Sequence, residues 1–174
     1  MSTPEDPCSC LAEAFAPLVD GQGDVTISMI GDADALAVDT VSGLVEAAVD
    51  GGCRRLVLVV PTPLPAHAGG GLGDALAAGA AGAAARNAAV RLAPAGTANV
   101  LLVGPLDLDE RCGPGCFGVD PQHRSTVEQE AITGRLSTVE QVAGTLGFLL
   151  SDGADYLNGI VVPVDGGLSA GRHA

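Results

Sequence analysis

The stretch from Gly134 to Gly171 carries the clearest structural pattern of the chain: GRLSTVEQVAGTLGFLLSDGADYLNGIVVPVDGGLSAG. Its first half predicts a helix from Thr138 to Leu150. Ser137 or Thr138, with Glu140 or Gln141 three residues on, forms a capping-box pattern at the start of that helix. The second half predicts a strand over Ile160–Val164, closed by the turn residues that follow it. A helix that leads directly into a short apolar strand is typical of α/β proteins.

The same alternation extends toward the N-terminus. Three further apolar runs predict strands: Val25–Ile30, Leu56–Val60 and Val100–Val103. Between them, apolar residues at helical spacing predict helices over Leu11–Leu18, Thr40–Val49 and Asp74 to about Leu92. The pattern indicates an α/β fold around a mainly parallel sheet, in one domain spanning residues 1–174. A polar segment at about residues 105–125 is expected to be a variable loop.

Charge and composition exclude several functions. The chain has 21 acidic and 8 basic residues, a net charge of -13, and no lysine. Without lysine it cannot form a Schiff base, a P-loop contact to phosphate or a Tyr/Lys proton relay. The acidity argues against a nucleic-acid partner, because phosphate binding needs clustered basic residues.

Membrane and export signals are absent from the sequence pattern. The longest apolar run, Leu56–Val60, is far shorter than the roughly 18 residues that a membrane span requires. The first residues contain no basic region followed by an apolar stretch, so we expect a cytoplasmic protein without a membrane partner. Five cysteines do not suggest a disulfide framework.

Polar side chains follow the predicted strands, where parallel α/β sheets bind ligands. These residues are Asp32, Asp34, Thr62, His67, Asp107 and Asp109. Asp74 joins them at a helix start, where the helix dipole would favour its anion and it could act as a base or simply cap the helix. Likewise, Asp32 with Asp34 could form an acid–base pair or an ordinary turn, and His67 could be a base or a solvated residue.

Two weaker patterns point to ligands. Gly69–Gly73 follows a strand and opens a helix, but it departs from the dinucleotide fingerprint, so a tight turn or hinge is the better interpretation. Cys8, Cys10, Cys112 and Cys116 could form a zinc site with His123, although their spacing matches no standard motif. We therefore predict no metal. Cys53 is expected to be buried, and Arg54 with Arg55 to be a solvated pair.

The residues quoted above from Gly134 to Gly171 resemble the C-terminal end of short-chain dehydrogenases/reductases, including the FLLSD turn, the YLNG step and the VDGG after the last strand. Residues Leu92–Val100 and Asp24–Gly31 are similar to the approach to the family's sixth strand and to its fourth-strand motif. The resemblance implies a truncated Rossmann-like three-layer sandwich. Its mainly parallel sheet would have about four strands and would lack the first three family strands.

The resemblance also implies that the family's catalytic residues are replaced. The serine position falls on Pro61, the tyrosine position on Asp74 and the lysine position on Ala78. The strands that carry the family's glycine fingerprint would be missing, so no cofactor is expected for this chain. Hydride transfer by the family mechanism is therefore not expected of this chain alone.

Two functional hypotheses remain. The first is a catalytically degenerate, accessory subunit that supports a full-length sister dehydrogenase or ketoreductase, such as those acting in bacterial antibiotic biosynthesis; association with itself is the other arrangement. The resemblance implies contact surfaces on the helix at Asp74–Leu92 and on Thr138–Leu150 with Ile160–Val164. The alternative is a cofactor-independent lyase, isomerase or cyclase. It would reuse the cleft with Asp74, Asp32, Asp34, Thr62 or His67 as acid–base groups.

Overall fold

The computed structural model describes residues 9–20, 24–29, 38–65, 70–108 and 117–170. Within these ranges helices and strands alternate, as the sequence predicts. The helices are α1 (Ser9–Val19), α2 (Val38–Asp50), α3 (Leu72–Leu92), α4 (Arg124–Glu130) and α5 (Val139–Leu150). The strands are β1 (Val25–Met29), β2 (Arg55–Pro61), β3 (Thr97–Val103) and β4 (Val161–Val164). None of these helices is long and apolar enough to cross a membrane.

The four strands form one parallel sheet in the order β1-β2-β3-β4. Val25 of β1 lies opposite Arg55 of β2, and Val100 of β3 lies opposite Val161 of β4. Strand β2 is buried from Arg55 to Val60, because an apolar strand at the centre of a parallel sheet is covered on both faces. The predicted parallel sheet of about four strands is confirmed.

Helices cover both faces of the sheet. On one face, Val45 of α2 and Ala85 of α3 pack with Leu58 of β2 in one apolar cluster. On the other face, Phe15 of α1 and Leu146 of α5 belong to a second cluster. This arrangement confirms the predicted Rossmann-like three-layer sandwich.

Helix α3 lies close to the sheet because its inner side is built from alanine. Four alanines on this inner side are only 0–5% exposed: Ala77, Ala81, Ala85 and Ala88. Near the middle of the helix, a β carbon added to Gly82 would stand 3.2 Å from the Cγ2 atom of Val161. Small residues therefore set the distance between α3 and strand β4.

Two asparagines fix the turn that precedes β4. The Asn99 side chain, in a residue that is 1% exposed, donates from Nδ2 to the carbonyl of Leu157 at 2.9 Å. Its Oδ1 accepts from the backbone N–H of Ile160 at 3.1 Å. Asn158 completes the clamp, since its Oδ1 accepts from the backbone N–H of Ala98 at 2.9 Å. These bonds hold the start of β4 against β3.

Helix α5 begins as the sequence predicts. The Thr138 side chain accepts from the backbone N–H of Gln141, and the Gln141 side chain accepts from the backbone N–H of Thr138. Of the pairs that the pattern allows, Thr138 with Gln141 forms the capping box.

Of the segment predicted as a variable loop, residues 105–108 and 117–125 are described. Leu106 forms an isolated parallel bridge with Ser137, and the Phe117 side chain is only 2% exposed. Helix α4 then follows, which the sequence did not predict. It is short, and Val127 is its one buried residue, so it shows no apolar periodicity.

The prediction that Arg54 and Arg55 form a solvated pair is wrong for Arg55. Arg55 is 7% exposed, its guanidinium donates to the Thr97 hydroxyl at 3.3 Å, and it pairs with the carboxylate of Asp155. Thr97 and Asp155 are 42 and 100 residues away from Arg55 in the sequence, so no local pattern indicates this burial. Cys53 is 6% exposed, which confirms its predicted burial.

Candidate functional site at the carboxyl ends of the strands

Three strands of the sheet end close together. Thr62 follows β2, Gly104 follows β3 and Asp165 follows β4. Thr62 is 3% exposed, and its backbone N–H donates to the carbonyl of Val103 at 2.8 Å. Its hydroxyl donates to Asp165 Oδ2 at 3.5 Å. The residues that follow β2 and β4 are therefore linked directly across the end of β3.

The carboxylate of Asp165 organises the loop that leaves β4. Its Oδ1 accepts from the backbone N–H of Gly167 and its Oδ2 from that of Ser169, both at 3.0 Å. With the Thr62 hydroxyl, three donors face this carboxylate, which is 7% exposed. Asp165 therefore holds the loop after β4 in place, and both of its carboxylate oxygens already accept hydrogen bonds.

Glycines make this arrangement possible. A β carbon added to Gly104 would stand 2.6 Å from the Cα atom of Asp165, so any larger residue would push the ends of β3 and β4 apart. Gly166 and Gly167 have φ angles of 62° and 86°, a region that other residues rarely adopt. The loop after β4 depends on these glycines.

Comparison with known proteins identifies the family. A model of the family described as Enoyl-(Acyl carrier protein) reductase matches residues 75–169, more than half of the chain. The chain belongs to the short-chain dehydrogenase/reductase family. A solved short-chain dehydrogenase/reductase from Serratia marcescens superposes with a TM-score of 0.64 at 18% identity, over 97% of this chain and 75% of that one.

Curated relatives match a part of the chain. The 3-oxoacyl-(acyl-carrier-protein) reductase MabA of Mycobacterium tuberculosis is 38% identical over 82 residues, which are 44% of this chain and 29% of that protein. The reductase FabG of Pseudomonas aeruginosa is 54% identical over 35 residues, which are 20% of this chain and 14% of FabG. Each alignment therefore spans less than a third of its relative.

A second solved structure shares the fold. A putative gluconate dehydrogenase from Agrobacterium tumefaciens has a TM-score of 0.63 at 20% identity, over 93% of this chain and 72% of that chain. At this identity the likeness concerns the fold, which is the family's Rossmann-like architecture.

The positions that the family resemblance assigns to catalysis can now be located. Pro61, at the serine position, is the last residue of β2. Asp74 and Ala78, at the tyrosine and lysine positions, both belong to α3. None of the three is the residue type that the resemblance assigns to catalysis at its position.

The predicted acid–base residues are only partly within the described structure. Asp32, Asp34, His67 and Asp109 lie outside the described residues, and for Asp74 only the backbone is described. Helix α3 begins at Leu72, so the backbone places Asp74 in its first turn, and its roles as a base or as a helix cap both stay predictions. Thr62 is the one member of the alternative catalytic set with a described side chain, and it faces Asp165.

Asp107 is engaged in an ion-pair network at the surface. Arg124 donates to Asp107 at 2.7 Å and to Glu128 at 3.0 Å. The hydrogen bond to Asp107 and the attraction of that carboxylate, followed by the hydrogen bond to Glu128, raise the pKa of Arg124 above its ordinary value. Asp107 therefore anchors α4 to the end of β3.

Two open clefts flank the sheet. One, of about 500 Å³, lies along β4 and α5, and polar groups from Thr133, Arg135, Gln141 and Asp165 line it. The other, of about 470 Å³, lies at the amino ends of β2 and β3 beside Arg54, Arg55 and Tyr156. The sequence did not predict Arg135 or Gln141 as lining residues, because only the fold brings them to the edge of β4.

The described part of the chain contains no cluster of three or more metal-ligating side chains. Cys8, Cys112 and Cys116 lie outside the described residues, as does the side chain of Cys10. The alternative of a zinc site with His123 therefore stays untested.

Proposed function

We propose that the chain is a non-catalytic accessory subunit that supports a full-length NAD(P)-dependent ketoreductase or dehydrogenase, in bacterial natural-product biosynthesis. The sister subunit would supply the cofactor and the Tyr/Lys pair. This chain would stabilise the sister subunit by contact. Self-association is the second arrangement of the same proposal.

Helix α3 is the observation that carries this proposal. It bears Asp74 and Ala78 at the positions where the family places its proton-transfer pair, and neither residue can replace the tyrosine and lysine together. A side chain that ends in a carboxylate cannot act as a phenol, and alanine carries no ionisable group. Because the helix lacks these catalytic groups, the role left to it is to pack against other parts of a protein.

The outward side of α3 is suited to packing against another helix. Leu72, Leu76, Gly79 and Ala83 recur every three or four residues, and Val90 lies two turns beyond Ala83, with the polar Asn87 between them. Together these four residues and Val90 form what we call the α3 outer face. Leu72, Leu76 and Val90 are 76%, 64% and 78% exposed. A helix that is apolar on its inner and outer sides is normally buried in a larger structure.

Small residues at the centre of this face favour a close approach. A β carbon added to Gly79 would meet no atom within 4 Å, so the space above it is open to a partner. The last helix and strand, our second predicted contact surface, leave Phe148 49% and Val161 37% exposed. Both surfaces support association, and the α3 outer face exposes three large apolar side chains against two on the second surface.

Co-expression with the neighbouring full-length dehydrogenase tests the proposal. We expect the two chains to co-purify. We also expect the reductase activity of the sister dehydrogenase, or the yield of the purified sister dehydrogenase, to rise when this chain is present. Leu76→Glu should abolish co-purification because it places a charge at the centre of the contact. The matched control is Ala47→Glu, which adds the same charge at an exposed position of α2 and should leave co-purification unchanged.

The alternative of a cofactor-independent lyase, isomerase or cyclase stays a prediction. Four of its five residues have no described side chain, and Thr62 is a buried hydrogen-bond donor to Asp165. No contact in the described structure favours that chemistry over an accessory role.

A further inference from the structure

The two edges of the sheet differ in their capacity to accept another strand. On β1, the carbonyl of Asp24 accepts from the backbone N–H of Arg55 at 3.3 Å, so Asp24, Thr26 and Ser28 face β2. Because alternate residues of a parallel strand face opposite neighbours, Val25, Ile27 and Met29 direct their N–H and C=O groups away from the sheet. These groups have no backbone partner among the described residues.

The opposite edge is protected. The carbonyls of Ile160 and Val164 accept from β3, so Val161 and Pro163 face outward. Proline offers no N–H at this position, which interrupts any ladder with a further strand. Strand β1 contains no proline, glycine or charged residue, and it lacks such protection.

We propose that β1 pairs antiparallel with β1 of a second copy of this chain, across a two-fold axis at Ile27. The three outward-facing residues are spaced symmetrically about Ile27. A second copy rotated about that axis therefore presents its donors opposite the acceptors of the first. The result is one continuous sheet of eight strands.

The register of this pairing matches the side chains as well as the backbone. Ile27 lies opposite Ile27 of the partner subunit, and Val25 lies opposite Met29 of the partner subunit. These apolar side chains are only half-buried within one chain and pack on the face covered by α1 and α5. On the other face, Thr26 lies opposite Ser28 of the partner subunit, a hydroxyl pair that stabilises antiparallel strands.

Charge favours this edge over other surfaces. Two chains that each carry a net charge of -13 repel one another, but β1 is uncharged. Among the described residues, the carboxylate closest to β1 along the chain is that of Asp24, which is paired with Arg54 at 3.6 Å. In the antiparallel register the two Asp24 residues stand about 20 Å apart along the strands, well beyond the range of strong repulsion in physiological salt.

The size of the contact sets its expected strength. A pair of five-residue strands buries less than the roughly 1,200 Å² typical of stable interfaces. We therefore expect a reversible dimer whose population depends on protein concentration. This inference goes beyond the accessory role and uses β1, whereas contact with a sister subunit uses the α3 outer face.

Sedimentation velocity over a concentration series, with the full chain, tests the inference. Ile27→Pro should raise the dimer dissociation constant at least tenfold, because it removes a central outward N–H without touching the ladder to β2. Ile27→Val is the matched control, since it keeps the outward N–H and an apolar β-branched side chain at the same position, and it should leave the constant unchanged. A chain that stays monomeric at all concentrations, or a dimer indifferent to Ile27→Pro, would overturn the proposal.

Disulfide trapping decides the question if Ile27→Pro fails to fold. Directly opposed residues of an antiparallel pair have Cα atoms about 5.5 Å apart, within the range of a disulfide. Mild oxidation of Ile27→Cys should give a covalent dimer linked at position 27, whereas Ala47→Cys, at an exposed position of α2, should give no dimer linked at position 47. Loss of the dimer in Leu76→Glu, with no link at position 27, would instead place the contact on α3. Ile27→Pro should still co-purify with the sister subunit, so the two proposals fail separately.

Discussion

The guanidinium of Arg55 lies between the hydroxyl of Thr97 and the carboxylate of Asp155, in a residue that is only 7% exposed. This contact ties the start of β2 to the start of β3 and to the turn before β4. The Asp155 side chain is 59% exposed, so water can solvate the acid but not the base. The two members of the pair therefore have unequal energetic roles.

This inequality predicts an order of mutational effects. Asp155→Ala leaves a buried cation without its nearest anion and should lower the free energy of unfolding by about 1–3 kcal/mol. Arg55→Met leaves only a solvated carboxylate and a hydroxyl, and should cost less than Asp155→Ala. Urea unfolding of both variants measures the order, and a larger loss for Arg55→Met would contradict it.

Asp165 should stabilise the chain more than Thr62 does. Asp165→Ala leaves two backbone N–H groups, at Gly167 and Ser169, without an acceptor, and we expect a loss of about 2 kcal/mol. Thr62→Val removes only the 3.5 Å hydrogen bond and should cost less than about 1 kcal/mol. Thermal unfolding measures both, with Asp20→Ala at an exposed position as control. Equal losses for all three variants would show that the loop is not held by this carboxylate.

Asn99 should determine how firmly β4 is attached. Asn99→Ala removes both the donor to Leu157 and the acceptor from Ile160. We expect hydrogen exchange at the Ile160 amide to accelerate at least tenfold, because the bond that protects it is lost. Exchange at Val57, inside β2, serves as the internal control. An Ile160 amide that stays protected would mean that the strand pairing alone holds β4.

The pKa of Glu46 should respond to Arg91. The hydrogen bonds from Arg91 to Glu46, both at 2.6 Å, lower the pKa of Glu46 below its ordinary value of 4.5. A carboxyl whose folded-state pKa is lowered stabilises the fold above its ordinary value, and this contribution is lost as the pH falls through the folded-state pKa. Arg91→Met should return the Glu46 pKa, measured by NMR titration, to the ordinary range.

Glu140 is the matched control for that titration. Its pKa is also lowered, but by a hydrogen bond from its own backbone N–H and then one from Thr138. Arg91→Met should leave the Glu140 pKa unchanged. A parallel change at both residues would indicate a general effect of charge rather than the specific pair.

Local patterns in the sequence were sufficient for most of the fold. The capping box at Thr138 and the apolar run of β2 depend on neighbouring residues, and both were predicted within a residue or two. Helix α4 was missed because a short polar helix with one buried residue, Val127, has no periodicity.

The candidate site was harder to predict because its contacts are long-range. Thr62 and Asp165 are separated by 103 residues, and Arg55 and Asp155 by 100. No sequence spacing indicates such pairs, and the burial of Arg55 was therefore missed. By contrast, the assignment of Pro61, Asp74 and Ala78 to the family's catalytic positions rests on the resemblance rather than on contacts, and it stays a prediction.

The most direct test of an accessory role is a reductase assay of the neighbouring full-length dehydrogenase, purified with and without this chain at equal concentration. We expect this chain alone to show no NAD(P)H turnover, and the sister's activity or thermal stability to increase when wild-type chain is added. Leu76→Glu should remove that increase, and Ala47→Glu should retain it. Turnover by this chain alone, or a sister enzyme indifferent to its presence, would contradict the proposed function.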